Sequence, residues 1–157
     1  MLKMPKISTF LWFDKEAEAA ARFYTSVFKN SEMGSVTRYP EAMGSEVLTV
    51  EFTIEGYYIT AMNAGPHFKF NEAISIYVDC KDQAEVDYYW NTLTADGGAE
   101  SQCGWLKDKY GLSWQIIPHR LIELQTDKDR AAAGRASQAM LKMQKIVVAD
   151  LEKAFAG

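Results

Sequence analysis

A block of this chain occurs twice. Phe13-Asp14-Lys15, Ala19, Arg22-Phe23-Tyr24 and Phe28 recur 65 positions later as Val78-Asp79-Cys80, Ala84, Asp87-Tyr88-Tyr89 and Leu93. In each copy an apolar, strand-like run passes through an aspartate into an amphipathic helix with paired aromatics. A unit of this size cannot bury its own sheet face, so the two copies are expected to share a core. Two curved sheets joined in that way leave a concavity, and concavities take small molecules.

The pattern along the chain gives the order strand, helix, strands, twice over. Ile7 to Phe13 is almost wholly apolar and reads as a strand. Asp14 is placed to cap the helix that follows, whose face is Ala20, Phe23, Tyr24, Val27 and Phe28. A strand is expected from Ser31 to Tyr39, then a loop at Pro40 to Gly44. Val47 to Ile54 alternates, and Glu55-Gly56 turns it back into Tyr57 to Asn63. The second copy begins with a strand from Ala73 to Asp79. Asp82 and Glu85 stand at capping-box spacing before a helix that buries Val86, Tyr89, Trp90 and Leu93 and stops at Gly97-Gly98. Trp105 to Lys109 and Leu112 to Ile117 form a last hairpin around Tyr110-Gly111. Beyond Pro118, Thr126 and Asp129 offer another capping box. Ala139, Met140, Met143 and Val147 give a helical face, and Asp150 to Phe155 a final turn or two. This tail is expected to clasp the core or a second subunit. The whole reads as one domain, 1–157, with modules at 5–65 and 66–118 and a helical extension at 119–157.

Composition narrows the function. A net charge of −4, with 17 basic side chains scattered along the chain, lacks the basic stripe that phosphate backbones require. No nucleic-acid partner is expected. No apolar stretch reaches the ~20 residues of a membrane span, and the start has no signal-peptide core. Two cysteines, Cys80 and Cys103, are too few for a disulfide framework, so a cytoplasmic location is expected.

These features resemble the vicinal oxygen chelate superfamily of glyoxalase I, extradiol dioxygenases and bleomycin-resistance proteins. Within it the chain resembles the PhnB-like branch, often labelled a 3-demethylubiquinone-9 3-methyltransferase family. The residues that carry the resemblance are Phe10-Leu11-Trp12-Phe13, Phe23-Tyr24, Gly65-Pro66, Phe68, Phe70, Trp105-Leu106-Lys107-Asp108 and Gly111 to Pro118. Ala139 to Met143, Lys145-Ile146 and Leu151-Glu152 in the tail also fit. The resemblance implies an α+β fold of two βαβββ modules forming a cupped mixed sheet, followed by a C-terminal helical tail, and assembly as a homodimer.

Metal-using members of the superfamily place His, Gln or Glu at one inward position in each of four strands. Those positions are expected near Thr9, Thr60, Ala73 and Gln115, where only Gln115 offers even a weak donor. His67 and His119 fall at none of them. Three or four His, Cys or carboxylate ligands are needed, so neither a metal nor a cofactor is expected. The methyltransferase label also lacks support: no two glycines lie two residues apart, which removes the G-x-G nucleotide loop. Inward positions are expected at Thr9, Leu11 and Phe13; Tyr58, Thr60 and Met62; Ala73, Ser75 and Tyr77; Ser113, Gln115 and Ile117. Phe10, Trp12, Ile74, Ile76, Val78, Leu112, Trp114 and Ile116 are expected under the helices. The candidate ligand-binding residues are Thr60, Ser75, Tyr77, Ser113 and Gln115, which could orient a small apolar or aromatic molecule by hydrogen bonds. The expected function is metal-independent small-molecule binding. The alternatives are an enzyme of isomerase or lyase type or with the labelled methyltransferase activity, using Tyr77, Gln115 and His67, and a dimeric interaction module with a plugged cup.

Overall fold

The computed structural model describes residues 1–157 as two compact units, 1–69 and 70–157. In the first, strand β1 (Thr9–Phe13) leads into helix α1 (Ala17–Val27), followed by β2 (Ser31–Arg38), β3 (Val47–Ile54) and β4 (Tyr57–Asn63). These strands form a mixed sheet in the order β1-β4-β3-β2, with β1 and β4 parallel and the other pairs antiparallel. The second unit repeats the plan: β5 (Ile76–Cys80), α2 (Gln83–Thr94), β6 (Ala99–Glu100), β7 (Trp105–Lys107) and β8 (Ser113–Pro118), in the order β5-β8-β7-β6. Three more helices follow: α3 (His119–Gln125), α4 (Arg130–Met140) and α5 (Val148–Ala156). The fold is α+β, two βαβββ modules and a helical C-terminal segment, as the resemblance implies.

In the first unit α1 buries Ala17, Ala20, Ala21, Tyr24 and Val27. They pack on β3, whose alternate residues Val50, Phe52 and Ile54 are buried on the same side. Asp14 does not cap this helix. Its first amide, that of Ala17, donates instead to Asn63 Oδ1 at 2.8 Å, a cap supplied by the end of β4. Glu55 (φ 48°) and Gly56 (φ 77°) form the two-residue turn between β3 and β4, the geometry whose twist matches a hairpin.

In the second unit α2 buries the four residues expected of it, Val86, Tyr89, Trp90 and Leu93. Asp82 accepts from the Glu85 amide at 2.9 Å, but the reciprocal bond of Glu85 goes to the amide of Lys81, one residue earlier than a regular capping box. The β7–β8 connection is organised by Asp108, which is buried at 2% exposure. Its Oδ1 accepts from the amides of Tyr110 and Leu112, and its Oδ2 from Trp114 Nε1 at 2.8 Å. Three donors offset the desolvation of this carboxylate.

The tail belongs to the second unit and clasps it. Ile117 joins Leu121, Leu124, Ala136, Ile146 and Leu151 in one apolar cluster. The amides of Cys103 and Gly104 donate to the carbonyls of Met143 and Gln144, both at 2.8 Å. Gly104 has φ +84°, and a Cβ there would come within 2.7 Å of Ile117 and 3.2 Å of Ile146. Gln83 on α2 clamps the segment from the other side, donating to Ile146 O and accepting from Val148 N.

Several expectations need correction. β1 begins at Thr9 and β5 at Ile76, so Ala73, Ile74 and Ser75 precede the strand. Thr126 does not cap α4. Its hydroxyl donates to the Ile122 carbonyl at the end of α3, and Asp129 is itself the N-cap, accepting from Ala132 N at 3.1 Å. The face drawn from Ala139 to Val147 is interrupted, because α4 ends at Met140 and α5 starts at Val148. Helix α3 and strand β6 are not marked by periodicity, being too short to carry one.

Candidate functional site

Each sheet has one face under its helix and one opposite it, and strand pairing decides which residues share a face. In the first unit Thr60 pairs with Phe10 and with Glu51, whereas Leu11 pairs with Ala61. Thr60, Tyr58 and Met62 therefore lie opposite α1, as expected. The phase of β1 is the reverse of that expected. Leu11 and Phe13 are buried on the helix side, while Phe10 and Trp12 share the open face with Thr60. Trp12 Nε1 donates to Gly65 O at 2.8 Å, and its ring meets Phe68 edge-on at 4.9 Å. The strand TFLWF is apolar at four successive positions, so it carries no alternation from which to read a phase. Thr9 bonds the Tyr57 hydroxyl.

Beside Thr60, burial pushes the Tyr58 phenol up, and the Glu51 carboxylate adds to the shift while the Thr60 hydroxyl opposes it. Tyr58 therefore stays protonated and can act as a donor. Glu51 was not singled out from sequence. The alternation of β3 places it on this face, but its pairing with Thr60 is a matter of register.

In the second unit the other four candidates come together. Tyr77 pairs with Gln115 across β5 and β8, and Trp105 pairs with Gln115 across β7 and β8. Lys107 pairs with Ser113. Tyr77, Ser113, Gln115, Trp105 and Lys107 thus share the face opposite α2, and Trp114 and Ile116 point under the helix, as expected. Gln115 Nε2 donates to Ser75 Oγ at 2.9 Å, which draws Ser75 to the same face from outside the strand. Tyr77 is 46% exposed. Partial burial raises its pKa, with the charges of Asp79 and then Cys80 adding to it. Ser113 is fully buried, and its hydroxyl has no hydrogen-bond partner. Ile117, expected to line the cup, is taken into the tail's apolar cluster instead.

A recess of about 200 Å³ opens on this face, lined by Glu72, Ala99, Glu100, Ser101, Trp105, Leu106, Lys107 and Ser113. Trp105 and Lys107 were not singled out from sequence as site residues. Their membership follows from β7 lying next to β8, which composition does not report.

Strand pairing places Phe10 beside Thr60 in the first unit and Tyr77 beside Gln115 in the second. Neither pair, a benzyl group with a hydroxyl or a phenol with an amide, is a good donor set for a divalent cation. No group of three or more His, Cys, Asp or Glu side chains is gathered to hold one. His67 lies exposed in a turn of the first unit. His119, at the start of α3, lies 3.1 Å from the Asp79 carboxylate through Nδ1. Cys80 is buried, and burial followed by the charges of Glu85, Asp79 and Asp82 pushes its thiol up to about 12. No helix is long and apolar enough to cross a membrane.

Residues 5–117 match the family described as 3-demethylubiquinone-9 3-methyltransferase. No curated protein matches. Among solved structures, a PhnB protein of Bacillus cereus, provisionally described as the same methyltransferase, is 37% identical. That match covers 73% of this chain and 99% of the other, with a TM-score of 0.66. Protein PA1353 of Pseudomonas aeruginosa shares the fold at 15% identity, over 73% of this chain and 98% of its own, with a TM-score of 0.62. The fosfomycin resistance protein FosX of Listeria monocytogenes, solved with Mn(II) and sulfate, shares it at 17% identity, over 72% and 90%, with a TM-score of 0.51. The family match stops at Ile117, so the tail residues expected to carry the resemblance lie outside it. The chain belongs to the 3-demethylubiquinone-9 3-methyltransferase family.

Proposed function

We propose that this protein binds a small apolar or aromatic molecule without a metal ion, on the sheet faces that lie opposite α1 and α2. The observation that carries this reading is the set Ser75, Tyr77, Ser113 and Gln115 on one such face, beside the half-buried ring of Trp105. An amide, two hydroxyls and a phenol can orient a ligand, and the indole supplies apolar area. Thr60 plays the matching part in the first unit, beside Tyr58. In neither unit does the face opposite the helix gather the ligands a divalent cation needs, which supports independence from metal. As in the sequence reading, the protein acts as a homodimer in the cytoplasm.

The test is a thermal-shift screen of the EDTA-treated protein against a panel of hydrophobic and aromatic compounds. Binding at 100 times Kd stabilises the folded state by ~2.7 kcal/mol, which gives a readable upshift. A panel that stabilises only after Mn(II), Zn(II) or Ni(II) is restored would overturn the reading.

A second reading is favoured by one observation. Tyr77 is partly exposed and held protonated by its raised pKa, which suits a proton donor or oxyanion partner better than a base. An enzyme of isomerase or lyase type would use Tyr77 with Gln115, and Tyr77→Phe would then abolish turnover while leaving ligand affinity within a few fold. The methyltransferase of the family's description has less support. Two four-stranded mixed sheets are not the doubly wound parallel sheet commonly used for nucleotide-type cofactors, and the chain has no G-x-G loop.

A further inference from the structure

We infer that the recess beside β7 is a subsite for one small, uncharged aromatic ring bearing a single hydrogen-bonding group, a molecule of the phenol class. The inference rests on the small-molecule-binding reading above and names the chemistry of its ligand.

Size sets the first limit. About 200 Å³ accommodates one ring and its substituent, below the ~300–1,000 Å³ common for drug-sized ligands. Shape sets the second. Trp105 is half-buried in the lining, and a flat ring gains most beside an indole.

Polarity sets the third limit. Ser113 is fully buried at the lining, and its hydroxyl lacks a partner. A buried hydroxyl left unpaired costs about 1–3 kcal/mol, and a ligand hydroxyl or carbonyl would remove that cost. Ser113 can both donate and accept, so it suits either.

Charge decides against an ionised ligand. The lining carries Lys107, Glu72 and Glu100, one ammonium against two carboxylates. Lys107 is already paired with Glu72, whose carboxyl that bond holds below its ordinary range. Glu100 pairs with Leu106 and is turned to the helix side, where it accepts from Trp90 Nε1 of α2 at 2.6 Å. A ligand carboxylate would find Lys107 already taken by Glu72 and no free cation in the lining to receive it. A ligand cation would likewise find both carboxylates engaged, Glu72 by Lys107 and Glu100 by Trp90. A neutral phenol avoids both penalties.

The experiment is a titration of the full-length protein, followed residue by residue by amide and indole NMR signals, with phenol and benzoate as the probes. Phenol is expected to saturate shifts at Trp105, Lys107 and Ser113, with benzoate about tenfold weaker. Ser113→Ala should weaken phenol about fivefold through loss of one neutral hydrogen bond. Glu72→Gln should free Lys107 and raise benzoate affinity toward that of phenol, while leaving phenol within twofold. This exposed substitution reports on charge even if Ser113→Ala impairs folding. Equal binding of benzoate and phenol by the unmodified protein, or no gain for benzoate in Glu72→Gln, overturns the inference. Saturable phenol shifts at Thr60 and Tyr77 without any at Ser113 would also overturn it, leaving the wider binding reading intact. Phenol and benzoate shifting nothing, while a larger apolar compound shifts Thr60, Tyr77 and Gln115, has the same consequence. If no compound shifts any of these residues, both readings fail.

Discussion

The two modules reach one topology by different local means. In the first, α1 is capped from a distance: Asn63, at the end of β4, accepts from the Ala17 amide and donates to Val47 O. In the second, α2 is capped from within by Asp82. The hairpins differ in the same way. Two positive-φ residues suffice between β3 and β4, whereas the β7–β8 connection is folded around the buried carboxylate of Asp108. The first unit binds itself through its strand ends. The second is built on side-chain anchors and then reinforced by a tail that the family match does not include. A duplicated unit can thus keep its strand order while almost every residue holding its loops is replaced.

Substitutions can sharpen that contrast. The largest effect is expected from Asp108→Ala, which deprives Trp114 Nε1 and two amides of an acceptor. About 3 kcal/mol should be lost in denaturant unfolding followed by Trp fluorescence. A loss below 1 kcal/mol would mean that the carboxylate does not organise the second hairpin. Next comes Asn63→Ala, expected to cost about 2 kcal/mol because one side chain serves both a helix start and a strand. Asp82→Ala should cost only ~1 kcal/mol, the ordinary worth of an N-cap. The two measured side by side break the comparison if Asp82 proves the costlier.

The smallest effect is confined to alkaline solution. Cys80 ends β5 where β1 ends in Phe13. Its thiol is raised from 9.0 to about 12 in the folded protein. Below pH 9 both folded and unfolded chains carry the proton, and stability is unaffected by this group. Between pH 9 and about 12 the unfolded chain loses the proton first, so stability falls as pH rises. Cys80→Ala should flatten that part of the pH–stability curve. Iodoacetamide at pH 8 should modify Cys103, which is half-buried, and spare Cys80.

The sequence was most legible where side chains alternate or cap. The faces of α2 and β8, the Glu55-Gly56 turn and the alternation that sets Ser113 and Gln115 on one face of β8 all follow from period and turn chemistry. Legibility failed at β1, where an unbroken apolar run conceals which side faces the helix, and at Asp14, which a residue 46 positions away displaces as the cap. It failed also for Ile117. The strand pattern puts Ile117 on the open face, but α3 to α5 fold back to cover it. Trp105 and Lys107 could not be read as site residues because membership depends on which strand lies beside β8. Local chemistry is written in the chain, and neighbours distant in sequence are not.

The most direct test of the central claim is an NMR titration of metal-stripped protein with a compound selected by the thermal-shift screen. The account predicts saturable shifts at Thr60, Ser75, Tyr77, Ser113 and Gln115, with the affinity unchanged on adding a divalent cation. Binding that appears only with the cation, or shifts that spare all five residues, would contradict it.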